Sequence, residues 1–172
     1  YSTIEEDNQY SAKMQTVISY KFLDIDDDGT EELLITSEPE SGDTYVPQCF
    51  SVWDCDTEGN VVCALAKCGQ QSRGAYRYFV IQYQNEIYLL ESMGVTNSAA
   101  HTSIRNLYRY NGEKLRFEAK DKIFFRMSYD LSFDSDEIFI VNGENQSKES
   151  VGNYIDEIDS SRFLYRQFDD EK

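Results

Sequence analysis

The sequence predicts an α+β fold, an antiparallel β meander of about eight or nine short strands with one N-terminal and one C-terminal helix. Two observations support this prediction. Short apolar segments alternate with turn residues along most of the chain, which is typical of hairpins. Apolar residues fall at helical spacing only near the two ends. The chain has 172 residues and no linker-like stretch, so we expect one globular domain over residues 1–172.

The two predicted helices lie at opposite ends of the sequence. The first covers residues 4–19, where from Tyr10 onward the apolar side chains follow an i, i+4, i+7, i+8 pattern. The second begins at Ser147, a residue type that favours helix N-termini, although Gly152 weakens it. Its apolar face consists of Val151, Tyr154, Ile155 and Ile158.

The strands are predicted to pair as hairpins across short turns. Asn111-Gly112 is the strongest two-residue hairpin signal in the chain. Residues 76–83 are apolar on both alternating faces, which indicates a strand that is covered on both sides. The predicted strands are residues 20–23, 33–36, 45–54, 61–66, 76–83, 87–93, 104–110, 114–117 and 137–141, with 162–168 as a last strand or a surface segment.

The charge balance restricts the classes of partner. The chain carries 32 acidic and 16 basic residues, a formal net charge of −16. Such a polyanion repels nucleic acid and anionic membrane surfaces, and it attracts cations. No apolar run is long enough to span a bilayer. The chain begins at Tyr1 rather than at Met, which is consistent with removal of a signal or lipid-attachment segment.

Residues 24–32 carry the pattern Asp-x-Asp-x-Asp-Gly-x-x-Glu. Calcium prefers about six to eight oxygen ligands, and alternating aspartates around a tight turn can place several carboxylates about one centre. Gly29 can adopt the backbone angles that such a turn requires. The pattern therefore predicts a calcium site, as opposed to a solvated acidic turn. Its predicted ligands are Asp24, Asp26, Asp28, the carbonyl of Thr30 and Glu32.

This loop differs from an EF-hand. An EF-hand has a bidentate Glu at the twelfth position and continues into a helix. Here the twelfth position is Ile35, and residues 33–35 are typical of a strand. Magnesium is a poorer candidate than calcium because it retains its waters and requires a more regular cage. We therefore expect the metal to fasten a strand–loop–strand corner.

The loop resembles a segment of known proteins. Residues 20–35, Tyr-Lys-Phe-Leu-Asp-Ile-Asp-Asp-Asp-Gly-Thr-Glu-Glu-Leu-Leu-Ile, are similar to the Asp-Ile-Asp-Gly-Asp-Gly-x-x-Glu-Leu segment of many secreted proteins and lipoproteins of Gram-positive bacteria, and to the calcium loops of integrin-type repeats. Residues 140–150 resemble the strand–turn–helix that often closes those bacterial domains. This chain has Asp27 where the family usually has Gly, and Asp tolerates left-handed backbone angles better than most residues. The resemblance implies an extracellular or cell-surface calcium-holding domain.

The four cysteines lie close together in the sequence. Their spacing contains no Cys-x-x-Cys motif, which argues against a zinc site. If they lie on a hairpin, Cys55 faces Cys63 and Cys49 lies opposite Cys68, but a bulge is needed for both pairs to share a face. A disulfide between Cys55 and Cys63 and a set of four buried thiols remain alternatives.

No pattern in the sequence identifies a catalytic residue. His101 lies in a short polar segment without a nucleophile motif nearby. The tyrosines of the predicted strands favour sheet packing over sugar stacking. We therefore expect an extracytoplasmic binding module with a structural calcium, no enzymatic activity, and an extracellular protein or a glycan as ligand. The alternative is a carboxylate-dependent hydrolase that acts on glycans.

Overall fold

Antiparallel β-sheets make up most of the protein. The coordinates are a computed structural model. Within the residues that it describes, eleven strands and one helix are present. The protein is therefore predominantly β, with a single described helix near the C-terminal end. The described residues are 15–39, 49–68, 75–96, 100–128 and 137–166.

The Cα positions divide the chain into two compact units. The first contains the described residues up to 68 together with Tyr110–Phe117, and the second contains the rest. The single domain expected over residues 1–172 stays a prediction. The first unit holds a four-stranded sheet in the order β1-β2-β3-β4. Its strands are β1 Gln15–Leu23, β2 Glu32–Pro39, β3 Cys49–Cys55 and β4 Val61–Cys68.

The second unit is built on a seven-stranded antiparallel sheet, except that residues 110–111 of β7 and 116–117 of β8 belong to the first unit. Its strands are β5 Ala75–Tyr83, β6 Glu86–Thr96, β7 Ala100–Asn111, β8 Arg116–Ser128, β9 Ile138–Val141, β10 Glu144–Asn145 and β11 Arg162–Arg166. Consecutive strands from β5 to β10 are neighbours, and β11 pairs with the outer edge of β5 to give the order β10-β9-β8-β7-β6-β5-β11. The predicted meander is therefore confirmed for most of this sheet.

Helix α1, Lys148–Asp159, covers one face of the larger sheet. The Ser147 side chain accepts a hydrogen bond from the amide of Ser150, which caps the helix as the sequence predicts. Val151 and Ile158 are almost completely buried. The core on this face consists of Ile81, Tyr88, Leu90, Leu107, Ile123, Phe125, Val151 and Ile158. On β5, Tyr78 and Val80 are buried on the opposite face from Ile81, so the prediction of a strand covered on both sides is confirmed.

The predicted N-terminal helix is wrong over its last residues. Residues 15–19 belong to β1, which pairs antiparallel with β2. Thr16, Val17 and Ile18 are consecutive β-branched residues, and they favour an extended backbone over a helix. Residues 4–14 of the predicted helix lie outside the described residues.

The turns follow the sequence signals with one exception. Asn142 and Gly143 both have positive φ angles, as a two-residue hairpin turn requires. At Asn111, however, the side chain accepts a hydrogen bond from the amide of Lys114, and residues 112–114 form a 3₁₀ turn. Leu115, at a φ of 48°, then returns the chain to β8. The predicted two-residue turn at Asn111-Gly112 is therefore wrong.

The cysteines of β3 and β4 do not pair as an inner disulfide. Cys55 and Cys63 are free thiols, and the register places Cys55 opposite Val61. The register of Cys49 with Cys68 would already place Cys55 opposite Val62, and the register shift at Val52/Trp53 moves Cys55 one residue further from Cys63. Cys49 is disulfide-bonded, and its backbone partner in the register is Cys68, whose side chain lies outside the described side chains.

Within the described ranges, no helix has the length and apolar character that a membrane span requires.

The burial of the α1 face leads to a test of the fold. Ile158 is fully buried, whereas Ile155 on the same helix is only partly buried against the same core. We expect Ile158→Ala to lower the free energy of unfolding by about 3–5 kcal/mol, because a cavity remains in a closely packed core. Ile155→Ala should cost at most about half as much. Urea unfolding in calcium measures both, and an equal or larger loss for Ile155→Ala would contradict the described packing.

Candidate metal centre

The acidic loop connects β1 to β2 in the first unit. The two strands pair up to Leu23 and Glu32, so the loop closes a tight hairpin between them. Two of its residues have left-handed backbone angles, Asp27 with a φ of 62° and Gly29 with a φ of 90°. Gly29 thus supplies the turn expected from the sequence, and Asp27 adopts the conformation that it tolerates better than most residues.

The turn brings three of the predicted ligands together. Asp24, Asp26 and Asp28 each offer a carboxylate oxygen within 4.8 Å of the others. Backbone amides partly satisfy two of these groups. Asp24 accepts hydrogen bonds from the amides of Asp28 and Gly29 at 3.2 and 3.0 Å, and Asp28 accepts one from the amide of Thr30 at 2.7 Å.

Asp26 is the least satisfied member of the cluster. Its Oδ1 atom is buried and accepts no hydrogen bond. Burial, followed by the negative charge of Asp28, raises the pKa of the Asp26 carboxyl. A buried carboxylate oxygen without a donor is unfavourable unless a cation approaches it. The cluster therefore has the oxygen donors, and the unmet need for positive charge, that fit a hard divalent cation.

The other two predicted ligands occupy different positions. Thr30 is exposed, and its described contact is the amide hydrogen bond to Asp28. Glu32 is 1% exposed, and its Oε2 atom accepts a hydrogen bond of 2.7 Å from the amide of Ile25. Burial raises the pKa of Glu32 to about 7, and Asp26 and Asp54 add to this effect. Among the described residues, the group within 4.8 Å does not include Glu32.

Three further residues of the first unit surround the loop, and the sequence analysis missed them. Asp54 of β3 adds negative charge near Asp26 and Glu32, and its Oδ2 atom accepts a hydrogen bond of 2.5 Å from the Tyr110 hydroxyl. A Cβ atom at Gly112 would overlap the Asp26 carboxylate, with Cγ only 3.2 Å away. No local sequence signal connects these positions to the loop, because 28 or more residues separate them from Asp26.

A second acidic turn, at residues 56–60, serves as a comparison. Asp56 accepts hydrogen bonds from the amides of Glu58 and Asn60 and from the Asn60 side chain. The Asn60 side chain, followed by its amide, lowers the pKa of Asp56. Protein donors therefore satisfy this carboxylate, and the turn has no need for a cation.

The second unit contains a separate cavity of about 380 Å³. It lies between the turn that joins β5 to β6, strand β8 and helix α1. The Tyr88 hydroxyl hydrogen-bonds to Glu86, and the Tyr154 hydroxyl donates to Asp121. The lining residues are Tyr83, Gln84, Glu86, Tyr88, Leu107, Lys120, Asp121 and Tyr154.

His101 and the strand tyrosines, the other residues considered in the sequence analysis, pack within the sheets. His101 lies on β7 rather than in a loop, and its ring contacts Phe125 at a centroid distance of 5.7 Å. Tyr78, Tyr88 and Tyr110 are buried, in agreement with the sheet-packing interpretation of the strand tyrosines. The side chain of Tyr76 lies outside the described side chains.

No protein-family model, curated protein or solved structure matches the chain.

Two glycines provide a test of the contact between Asp26 and Gly112. Gly112→Ala places a methyl group in the position of the Asp26 carboxylate, which must then move. We expect this variant to lower the free energy of unfolding by about 1–3 kcal/mol. Gly152→Ala is the control, because nothing lies within 4 Å of its added Cβ. It should stabilise helix α1 by about 0.5–1 kcal/mol. Opposite signs in denaturant titrations support the contact, and a neutral Gly112→Ala contradicts it.

Proposed function

We propose that residues 24–32 hold one calcium ion, and that the protein is an extracytoplasmic binding module in which this ion is structural. The observation that carries the proposal is the cluster of Asp24, Asp26 and Asp28. Their oxygens lie within 4.8 Å of one another, and one Asp26 oxygen is buried without a hydrogen-bond donor. A cation between them would turn mutual repulsion into attraction.

The chemistry of the donors favours calcium over other divalent ions. The cluster offers only oxygen atoms, whereas zinc sites use mainly sulfur and nitrogen. Calcium accepts about six to eight oxygens in irregular arrangements, and magnesium requires a nearly regular octahedron. In this proposal Asp24, Asp26 and Asp28 hold the ion. The Thr30 carbonyl and Glu32 complete the set, with Glu32 acting directly or through water.

The structural role of the ion follows from the position of the loop. The loop joins β1 to β2, and Asp26 is in contact distance of the Tyr110–Phe117 segment of the same unit. An ion that binds only the folded loop stabilises the fold by RT ln(1 + [Ca²⁺]/Kd). At a calcium concentration of 100 Kd this amounts to about 2.7 kcal/mol. Calcium removal should therefore loosen this corner first.

Three observations support an extracellular or cell-surface location. Calcium modules outside cells bind their ion weakly, and a loop with part of its ligands on exposed residues is suited to that range. Cys49 is disulfide-bonded, and disulfides persist in oxidising compartments. The loop sequence also resembles that of secreted proteins and lipoproteins of Gram-positive bacteria. A lipid anchor is part of the proposal on this last ground alone.

In the cavity of the second unit, a binding role suits Glu86 better than the role of a catalytic acid does. A general acid for glycoside hydrolysis needs a raised pKa. In the cavity of the second unit, the hydrogen bond with Tyr88, followed by the charge of Arg109, lowers the pKa of Glu86. The alternative of a glycan hydrolase stays a prediction. The ligand of the proposed module is an extracellular protein or a glycan.

Calcium binding can be tested with two substitutions in one loop. Asp26→Asn removes a proposed ligand, and Asp27→Asn removes an equal charge from a residue that is not a ligand. Asn tolerates the left-handed angle of Asp27. We expect Asp26→Asn to weaken calcium binding at least about tenfold, because a coordinating charge is lost. Asp27→Asn should weaken it by no more than about threefold.

The measurement is calorimetric titration of metal-free protein with calcium, together with thermal unfolding in calcium and in chelator. Wild-type protein should melt at a higher temperature in calcium. An identical melting temperature in calcium and in chelator would contradict the proposal. Equal effects of the two substitutions would show general charge attraction in place of a defined site.

Glu32 provides a second test, because its carboxylate is buried among other acids. Without calcium, the negative charge of Glu32 opposes folding at pH 8. We expect Glu32→Gln to raise the melting temperature in chelator, since the amide can still accept the hydrogen bond from Ile25. In saturating calcium the substitution should lower the melting temperature. A change of the same sign in both conditions would remove Glu32 from the proposed ligand set.

A further inference from the structure

The cavity of the second unit is lined by tyrosines whose hydroxyl hydrogens point to carboxylates. Tyr154 donates to Asp121 at 2.5 Å, and Tyr83 donates to Glu157 at 2.8 Å. Tyr88 makes the same kind of bond to Glu86. Because each hydrogen is already used, the phenolic oxygens have only lone pairs to offer a ligand. The cavity is therefore rich in hydrogen-bond acceptors.

Donors are scarce in the same lining. Gln84 uses its side-chain amide to donate to the Tyr83 hydroxyl. Lys120 is the one cation among the described lining residues, and it is exposed at the rim. A ligand that fits this lining must itself supply hydrogens. Each hydroxyl of a sugar or polyol brings two lone pairs with its one hydrogen, and those lone pairs would find few donors here.

Asp121 carries the strongest indication of the ligand's charge. It is half-buried, and its described partners, Tyr154 and the side-chain amide of Asn142, are both neutral. Neutral donors hold the carboxylate in place but leave its negative charge uncompensated. Glu86, by comparison, has an ion-pair partner in Arg109 at 3.3 Å. A cation inside the cavity would compensate Asp121.

The shape and the aromatic walls favour an organic cation over a bare metal ion. The volume of about 380 Å³ is large for a single ion and is in the range of small-molecule sites. The rings of Tyr83 and Tyr88 are tilted by 58°, and those of Tyr83 and Tyr154 by 49°, at centroid distances of 6.2 and 6.4 Å. Tyr88 is buried, so the partly buried rings of Tyr83 and Tyr154 are the ones that can attract an ammonium group and pack against its carbon chain.

We propose that this cavity binds a small organic ammonium, such as a primary amine or the terminal amine of a lysine-like side chain. Asp121 and Glu86 pair with the charged nitrogen, and Tyr83 and Tyr154 contact its carbon chain. The inference rests on the binding role proposed above and, of the two ligands named there, it fits a protein that presents an amine and does not fit a glycan. It does not depend on the calcium loop, which belongs to the other unit.

The test uses two probes of equal length, 1,5-diaminopentane and 1,5-pentanediol, with D-glucose as a sugar probe. Each is titrated calorimetrically into calcium-saturated protein, so that the acidic loop does not compete for the amine. We expect the diamine to bind, and the diol and glucose to show no binding in the same concentration range. Binding of the diol or of glucose as strong as that of the diamine would overturn the proposal, as would an absence of diamine binding.

Variants locate the site. Asp121→Asn and Glu86→Gln should each weaken diamine binding at least about fivefold, because each removes one paired charge. Glu86 lies at an exposed rim, so its variant remains informative if Asp121→Asn fails to fold. Glu149→Gln removes an exposed acid of α1 that does not line the cavity, and should change the affinity less than twofold. Equal losses in all three variants would mean general attraction to the acidic surface and would overturn the proposal.

The two proposals can fail separately. Asp26→Asn should weaken the calcium response of the melting temperature and leave diamine binding unchanged. If diamine binding fails while the calcium response persists, the cavity inference is wrong and the calcium proposal stands. The reverse result would remove the calcium site and keep the amine site.

Discussion

Mutual repulsion of carboxylates is the constraint on which the first unit depends. Asp24, Asp26 and Asp28 converge at the end of the β1–β2 hairpin, and Glu32 lies buried directly behind them. The hairpin register fixes the two ends of this eight-residue loop, since Leu23 pairs with Glu32. Backbone amides offset only part of the charge, and one Asp26 oxygen has no donor at all. The calcium ion that we propose would offset this repulsion.

The protein stabilises its other acids differently, and the contrast strengthens the argument for the loop. Glu91 is buried in the larger sheet, but Tyr78, Asn106 and Tyr108 all donate hydrogen bonds to it. The turn at residues 56–60 supplies donors from its own backbone and from an asparagine. In a chain with a net charge of −16, an acid that lacks such donors is therefore informative. The Oδ1 oxygen of Asp26 lacks a donor, and acidic composition alone would not have distinguished this residue.

The sequence could predict features that depend on neighbouring residues. It could not predict contacts that depend on residues far apart in the chain. Neighbouring residues determine the turn of the acidic loop, the helix cap at Ser147 and the many short strands. The structure contains all three features. The Tyr110–Phe117 segment reaches the loop only through tertiary packing, so no spacing rule could indicate it. The inner cysteine pair fails because the register of Cys49 with Cys68 already misaligns Cys55 and Cys63 by one residue, and the register shift at Val52/Trp53 increases this offset. The error at residues 15–19 arose because helical spacing of apolar residues was given more weight than three consecutive β-branched residues.

Both candidate sites use carboxylates. The hydrogen-bond donors and the spacing of these carboxylates determine which cation each site would accommodate. In the loop the oxygens converge within 4.8 Å on a small volume, with backbone amides as their described donors, so a compact divalent ion fits. In the cavity, tyrosine hydroxyls occupy one side of each carboxylate and hold the acids around a larger space. A compact ion could not contact opposite walls of such a space, whereas an ammonium on a carbon chain can pair with an acid and fill the aromatic part. The difference lies in geometry rather than in charge, because both sites are negative.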